Sequence, residues 1–506
     1  MTIRGQVCLS ALAVLTGSCA SERPAHEGVP RSVVVAQAPA PPLRRGTAPV
    51  TPSASQKLPP LELHAKARFV WIQAKPDARS EWIGYLWTGG SVPRKSEEAF
   101  YGPGCDSPWY AIEPRGFVCS DDKRVSIDPD DPEAAALQAF VPNLESAWPF
   151  RYGESLGLVR YRELPSPEIQ ARNESDLPHH LRNVARARAG QSVKALAGVD
   201  VLLPELAPPP LPLLARTVHE ARSDLKLHST VAFTTEARWG DRGFLLSADY
   251  GWMPKDRVRE YPRSEFHGVH LGAEARLPLA FFRTKDRPRY ARLGEHVTRA
   301  AGVFQRLDWV ELTGRSFVEA GARYLETRAG EYVKETDAVV PALPERTPWG
   351  APLDEVAAAQ RTDRWLDVSV LGGWLLAFEG GTPRYATLIS PGRGGKPVAH
   401  RSTLETASTP LGTFSINTKI VTATMEAPHE FVHSDVPWVM NFTGPYALHT
   451  AYWHDDWGDA VSGGCVNLSP LDARFLFDFA EPKLPPGWHA VRRDAGGPTT
   501  RVVLHL

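Results

Sequence analysis

Proline limits what this chain can fold into more than any other residue. There are 46 prolines in 506 residues, about 9% against a usual ~5%. Each one fixes φ and removes a backbone donor, so the chain is expected to be poor in long helices. What remains is a chain of short strands, turns and linkers, expected to form roughly three to five modules at ~100–200 residues each. The 42% of hydrophobic residues is enough to build real cores, which excludes disorder throughout. Lys and Arg total 57 against 58 Asp and Glu, so a basic footprint for nucleic acid is also excluded.

Residues 1–19 carry Arg4, an apolar run from Val7 to Leu15 and small residues before Cys19. This is the pattern of an export signal, with a core too short to span a membrane. Leu15-Thr16-Gly17-Ser18-Cys19 resembles a bacterial lipoprotein box, with Thr16 where an aliphatic residue is usual. The resemblance implies cleavage before Cys19, lipidation of that cysteine and, with Ala20 next, anchorage of a periplasmic protein in the outer membrane. The alternative is an ordinary cleaved signal peptide. Residues 20–60 hold nine prolines and almost no aromatic side chains, and read as a disordered tether.

From Leu61 the texture changes to short aromatic and β-branched runs. Phe69 to Ile72, Trp82 to Trp87, Trp109 to Ile112 and Gly116 to Cys119 read as strands, and Thr88-Gly89-Gly90 as a turn. The segment 61–150 resembles the Src-homology-3-like barrels of bacterial cell-wall proteins. Similar texture recurs at Phe244 to Leu246, Gly251 to Pro254 and Val258, and again at Tyr324 to Glu326, Tyr332-Val333 and Val339. Residues 151–345 therefore read as one or two further small β modules, at about 200–262 and 268–345. Such barrels either bind glycan or peptide stems or space the next domain. In an oxidising compartment Cys105 and Cys119 can staple the first barrel. With Cys8 removed and Cys19 lipidated, Cys465 is left as a single, reactive thiol.

After a linker at 346–362, strands are expected at Trp365 to Val370, Trp374 to Phe378 and Tyr385 to Ser390. A glycine-rich loop, Pro391 to Pro397, leads to Thr409-Pro410-Leu411-Gly412-Thr413-Phe414. Further strands, Val436 to Phe442 and Tyr446 to His449, precede Val461-Ser462-Gly463-Gly464-Cys465-Val466-Asn467. A thiol needs a base to attack near neutral pH, and imidazole suits that task. His449 stands 16 residues upstream of Cys465. Gly463-Gly464 lets backbone N–H groups approach a substrate as an oxyanion hole requires. Ser469-Pro470-Leu471-Asp472 reads as a capped helix start with Asp472 as the box acid. Leu471, Phe475 and Phe479 would pack that helix on the sheet.

These residues resemble the L,D-transpeptidase (YkuD-type) catalytic domain, with its histidine, a gap, then Ser-x-Gly-Cys-x-Asn/Arg. The resemblance covers roughly 363–495 and leaves 496–506 as a C-terminal tail. It implies a mainly β, multidomain protein ending in a YkuD-type β-sandwich or barrel, with a short helix after the catalytic cysteine. It implies Cys465 as nucleophile and His449 as base. Thr450 would orient the imidazole through its carbonyl or hydroxyl, and Ser462, Gly463, Gly464 and Asn467 would support the oxyanion. Gly463 departs from the family, which commonly has histidine there. The implied activity uses no cofactor. It forms an acyl-enzyme from a peptidoglycan stem tetrapeptide and transfers it to an amine, giving 3–3 cross-links. Water, a D-amino acid or a protein lysine would serve as other acceptors.

His454 is a second candidate base or substrate contact. His429-Glu430-Phe431-Val432-His433 fits the zinc-protease pattern H-E-x-x-H. Pro428 and Pro437 leave that helix barely two turns, so no metal is expected and the stretch reads as a loop beside the site. The competing function is a wall-binding structural lipoprotein with a decayed catalytic domain. In either case the chain is expected to be monomeric.

Overall fold

The computed structural model describes residues 34–35, 62–208, 224–427 and 431–506. The signal segment with Cys8 and Cys19 lies outside the described residues, as does the tether except Val34–Val35. Those two residues form a short strand antiparallel to Met425 and Glu426. No helix among the described residues is long and apolar enough to cross a membrane.

The chain is mainly β. Its C-terminal domain is a sandwich of two sheets. The first contains β1 (Arg364–Ser369), β2 (Trp374–Glu379), β3 (Thr382–Leu388) and β4 (Gly412–Ser415). The second contains β5 (Thr418–Ala427), β6 (Phe431–Thr443), β7 (Tyr446–Thr450) and β8 (Val466–Leu468), followed by helix α1 (Pro470–Phe479) and strand β9 (Ala490–Arg492). Residues 496–506 are not a tail. Arg501–His505 forms strand β10, parallel to β1 and antiparallel to β4. Its run of Val502, Val503 and Leu504 fills the gap between those strands, and Val502 and Leu504 enter the core. That core joins Leu366, Val368 and Leu375 from the first sheet to Met440, Leu448 and Val466 from the second, with Leu476 and Phe477 of α1.

Helix α1 begins as expected, with Ser469 Oγ accepting the Asp472 N–H at 3.0 Å. Asp472 is not a box acid, however. It is fully buried and accepts the Tyr385 hydroxyl at 2.6 Å, the Thr387 hydroxyl at 2.6 Å and the Gly268 N–H at 2.8 Å. Ala473, Leu476 and Phe477 are the buried face of the helix, and two of the three expected residues, Phe475 and Phe479, pack half-buried against the same core, Phe475 on Tyr385 of β3 and on His270 from the connector.

The first two upstream modules are joined to this domain through sheet hydrogen bonds. In the first, Trp82–Leu86 pairs with β9 through Tyr85↔Ala490 and Gly84↔Val491. A Cβ on Gly84 would lie 2.4 Å from the Ala490 carbonyl and 2.5 Å from the Trp488 ring, so only glycine permits this seam. Trp488 and Val491 thereby belong to the first module's core. Cys105 and Cys119 are bridged, with Cα atoms 6.0 Å apart.

The second module starts at 151, earlier than the expected 200, because Arg151–Ser155 pairs with Thr230–Phe233 and with Val258–Glu260. Two helices not expected from the sequence, Pro167–Asn173 and Leu177–Arg188, are inserted between these strands. Their prolines lie in the first turn, where no donor is lost. Buried Glu174, at the end of the first helix, takes Arg242 and Arg257 from the β portion at 2.7 Å each. The third module repeats the second. A strand, a turn and a strand, then a single 3₁₀ turn and a closing valine, occupy 242–258 and again 322–339. No closed barrel is present among the described strands. The 346–362 linker contains a helix, Leu353–Ala358, with Val356 buried.

Candidate active site

Strands β7 and β8 run side by side and parallel, with His449 opposite Asn467. Both strands are buried along their whole length, so each polar side chain on them needs an internal partner. His449 finds one immediately, since its Nδ1 lies 2.8 Å from the Thr450 carbonyl. A carbonyl only accepts, so Nδ1 carries the hydrogen and Nε2 is left with its lone pair. Burial holds the imidazole down to about 4; the Thr450 carbonyl works against that shift and His454 adds to it. The ring is thus neutral at pH 7, in the form that accepts a proton at Nε2. Of the two roles open to Thr450, the carbonyl takes the orienting one, because its hydroxyl is buried without a partner.

Cys465 sits directly before β8, 5% exposed. Burial pushes its thiol up to about 11, against the pull of the Ala447 backbone N–H. The thiol's hydrogen-bond contact is the Pro445 carbonyl at 3.8 Å. The resting pair is therefore thiol and neutral imidazole, not thiolate and imidazolium.

The loop before Cys465 is shaped by Ser462. Its hydroxyl accepts the Gly464 N–H at 3.1 Å and donates to the Cys465 carbonyl at 2.5 Å. This corrects one expectation, since the Gly464 N–H is already committed within the loop. Gly464 has φ +129°, and a Cβ there would meet the Tyr446 ring at 2.8 Å. Gly463 carries no side chain into the site.

Asn467 exchanges two backbone hydrogen bonds with Ser390, each 2.9 Å. Its amide lies 3.1 Å from His454 Nε2. His454 Nδ1 accepts the Asp456 N–H at 3.2 Å, and its Nε2 faces the Asn467 amide nitrogen, Nδ2. His454 is thus brought into the site beside Asn467.

His429 and Glu430 lie outside the described residues. His433 lies on strand β6, not on a helix or a loop, and stacks on Trp453 at 4.0 Å between ring centroids. Among the described residues no group of three or more His, Cys, Asp or Glu side chains is placed to hold a metal.

Three neighbours were not read from the sequence. Tyr446, against Gly464, bonds through its hydroxyl to Thr403 Oγ1 at 2.5 Å. Ser408 is fully buried with an unpartnered hydroxyl, and its carbonyl faces Gly464. Trp453 places its ring 6.1 Å from that of His449. The aromatic run Tyr452-Trp453 was the available signal for the last; the approach of 403–408 has none, since it depends on tertiary packing.

Residues 363–503 match the family described as the L,D-transpeptidase catalytic domain, YkuD. No curated protein matches the chain. Among solved structures, an L,D-transpeptidase from Xylanimonas cellulosilytica is 19% identical over 31% of this chain and 71% of that one, at TM-score 0.20. One from Stackebrandtia nassauensis is 23% identical over 28% and 55%, at 0.19. A mutant from Enterococcus faecium is 20% identical over 29% and 50%, at 0.21. The chain thus spans about half the length of the last two.

Proposed function

We propose that the L,D-transpeptidase catalytic domain at residues 363–503 works through an acyl-enzyme on Cys465, with His449 as general base. The observation that carries this is the tautomer of His449: Thr450 occupies Nδ1 and leaves Nε2 as the proton acceptor on the strand beside the thiol. The thiol proton passes to Nε2 as sulfur attacks the carbonyl of the third residue of a stem tetrapeptide. With the resting thiol neutral, this transfer is general-base catalysis, not attack by a preformed thiolate. The oxyanion falls to the N–H groups of Cys465 and Gly463, because that of Gly464 is held by Ser462. The C–N bond breaks, the imidazolium protonates the leaving D-Ala amine, and a thioester remains. A side-chain amine of a second stem then resolves it into a 3–3 cross-link.

The Cys105–Cys119 bridge fits an exported protein. We place the enzyme in the periplasm, as a monomer on a lipid anchor at Cys19. Purified protein incubated with disaccharide-tetrapeptide should yield free D-Ala and a cross-linked dimer joined between third residues. Release of D-Ala with only the hydrolysed tripeptide would replace transfer by hydrolysis, and no D-Ala release would end the reading.

A further inference from the structure

A cleft of about 690 Å³ opens beside the site, between three parts of the chain. Its walls are the 261–267 connector, the 306–309 turn of the third module and the 452–455 loop. Only the last lies within the 363–503 family match. Asp455 fastens the three together. It accepts the Ser264 hydroxyl at 2.7 Å and the Trp457 indole N–H at 2.5 Å, and pairs with Arg306 at 3.6 Å. The cleft is therefore a built feature, at the kind of domain junction where ligands bind.

Its inner wall joins it to the reaction centre. Trp453 places its ring 6.1 Å from that of His449, and His454 on the same wall meets Asn467. The cleft therefore adjoins the base that must take a proton from an incoming amine. Besides the paired Arg306 and Asp455, the cleft is lined by Arg263, Glu265 and Asp308, charges of both signs. Arg263 lies over the Trp148 ring at 5.5 Å and, among the described residues, has no carboxylate partner. Glu265 and Asp308 have no cationic partner among those residues either.

We propose that this cleft seats the acceptor: a second peptide stem, a zwitterion whose terminal carboxylate meets Arg263 and whose side-chain ammonium is gathered by Glu265 and Asp308. This rests on the transpeptidase reading above. The ammonium gives one proton to water, and the neutral amine attacks the thioester carbonyl. A C–N bond forms, the C–S bond breaks, the second amine proton passes to His449 Nε2, and it is returned to the departing thiolate.

A disaccharide-tripeptide tests this directly, because it lacks the fourth residue a donor must expel and can enter only as acceptor. Its binding to Cys465→Ala protein is read from tryptophan fluorescence, since Trp309 and Trp453 line the cleft. Adding Arg263→Glu should weaken binding at least tenfold, whereas Arg299→Glu, the same charge change on an exposed strand elsewhere in the third module, should not. In the protein with Cys465 intact, Arg263→Glu should lower the ratio of cross-linked to hydrolysed product at least tenfold. Unchanged binding and an unchanged ratio would overturn the cleft while leaving the transpeptidase reading in place. Binding lost in Arg263→Glu, with no acyl-enzyme in the unaltered protein, would keep the peptide seat and overturn the transfer reading instead.

Discussion

At the residue scale the decisive fact is that both reacting groups are buried in neutral form. Cys465→Ala should abolish turnover. His449→Ala should lower it by the ~10²–10⁴ typical of a lost general base. His454→Ala should cost less, since His454 acts on Asn467 and not on the thiol; if it proves the more damaging change, the base has been misassigned. The pH profile provides a separate check. His449 must be unprotonated to act, and burial holds it at about 4. The rate of acyl-enzyme formation should therefore rise through about pH 4 and stay level through neutrality. An acid limb centred near the ordinary ~6.5 of an exposed histidine would contradict the buried tautomer. The strand that carries His449 and the glycine loop before Cys465 were legible in the sequence, from the Tyr446 to His449 run and from Gly463-Gly464. The commitment of the Gly464 N–H to Ser462 was not, because it depends on how the loop closes.

At the scale of elements, helix α1 shows how a correct local reading can miss a tertiary role. Ser469 and Pro470 mark the helix start in sequence, and they do cap it. Asp472 reads as part of the same cap, yet it anchors β3 and the connector at Gly268. Asp472→Ala would leave three donors without their acceptor, each worth roughly 1–3 kcal/mol when buried. The urea midpoint should fall by the equivalent of about 3 kcal/mol or more; a loss under about 1 kcal/mol would show that the carboxylate does not tie these elements. The strands were legible from their aromatic and β-branched runs. The helices of the second module were not, because Pro167 and Pro178 read as breakers although each occupies a first helical turn. Strand β10 was missed because so short a run at the chain end shows no partner in the sequence; its place between β1 and β4 exists only once both have formed.

At the scale of the molecule, periodicity marks where modules occur but not how they dock, and the docking seams are what the sequence leaves unread. His489 belongs to one such seam. It is 3% exposed, stacks on Trp87 of the first module at 4.3 Å between ring centroids, and places Nε2 3.2 Å from the Thr422 amide nitrogen. Burial lowers it to about 3. Its folded pKa thus lies below its unfolded one, so its contribution to stability is complete above ~6.5 and is lost as pH falls toward 3. The melting temperature should drop between pH 7 and pH 4, and by less in His489→Phe; equal drops would separate His489 from the acid response of this seam. The covalent step proposed for Cys465 is open to direct observation. Intact-protein mass spectrometry after mixing with disaccharide-tetrapeptide should show a gain equal to the substrate less one D-Ala, mapped to Cys465 and absent from Cys465→Ala. An unmodified Cys465 under conditions that release D-Ala, or an adduct carried by another residue, would contradict the account.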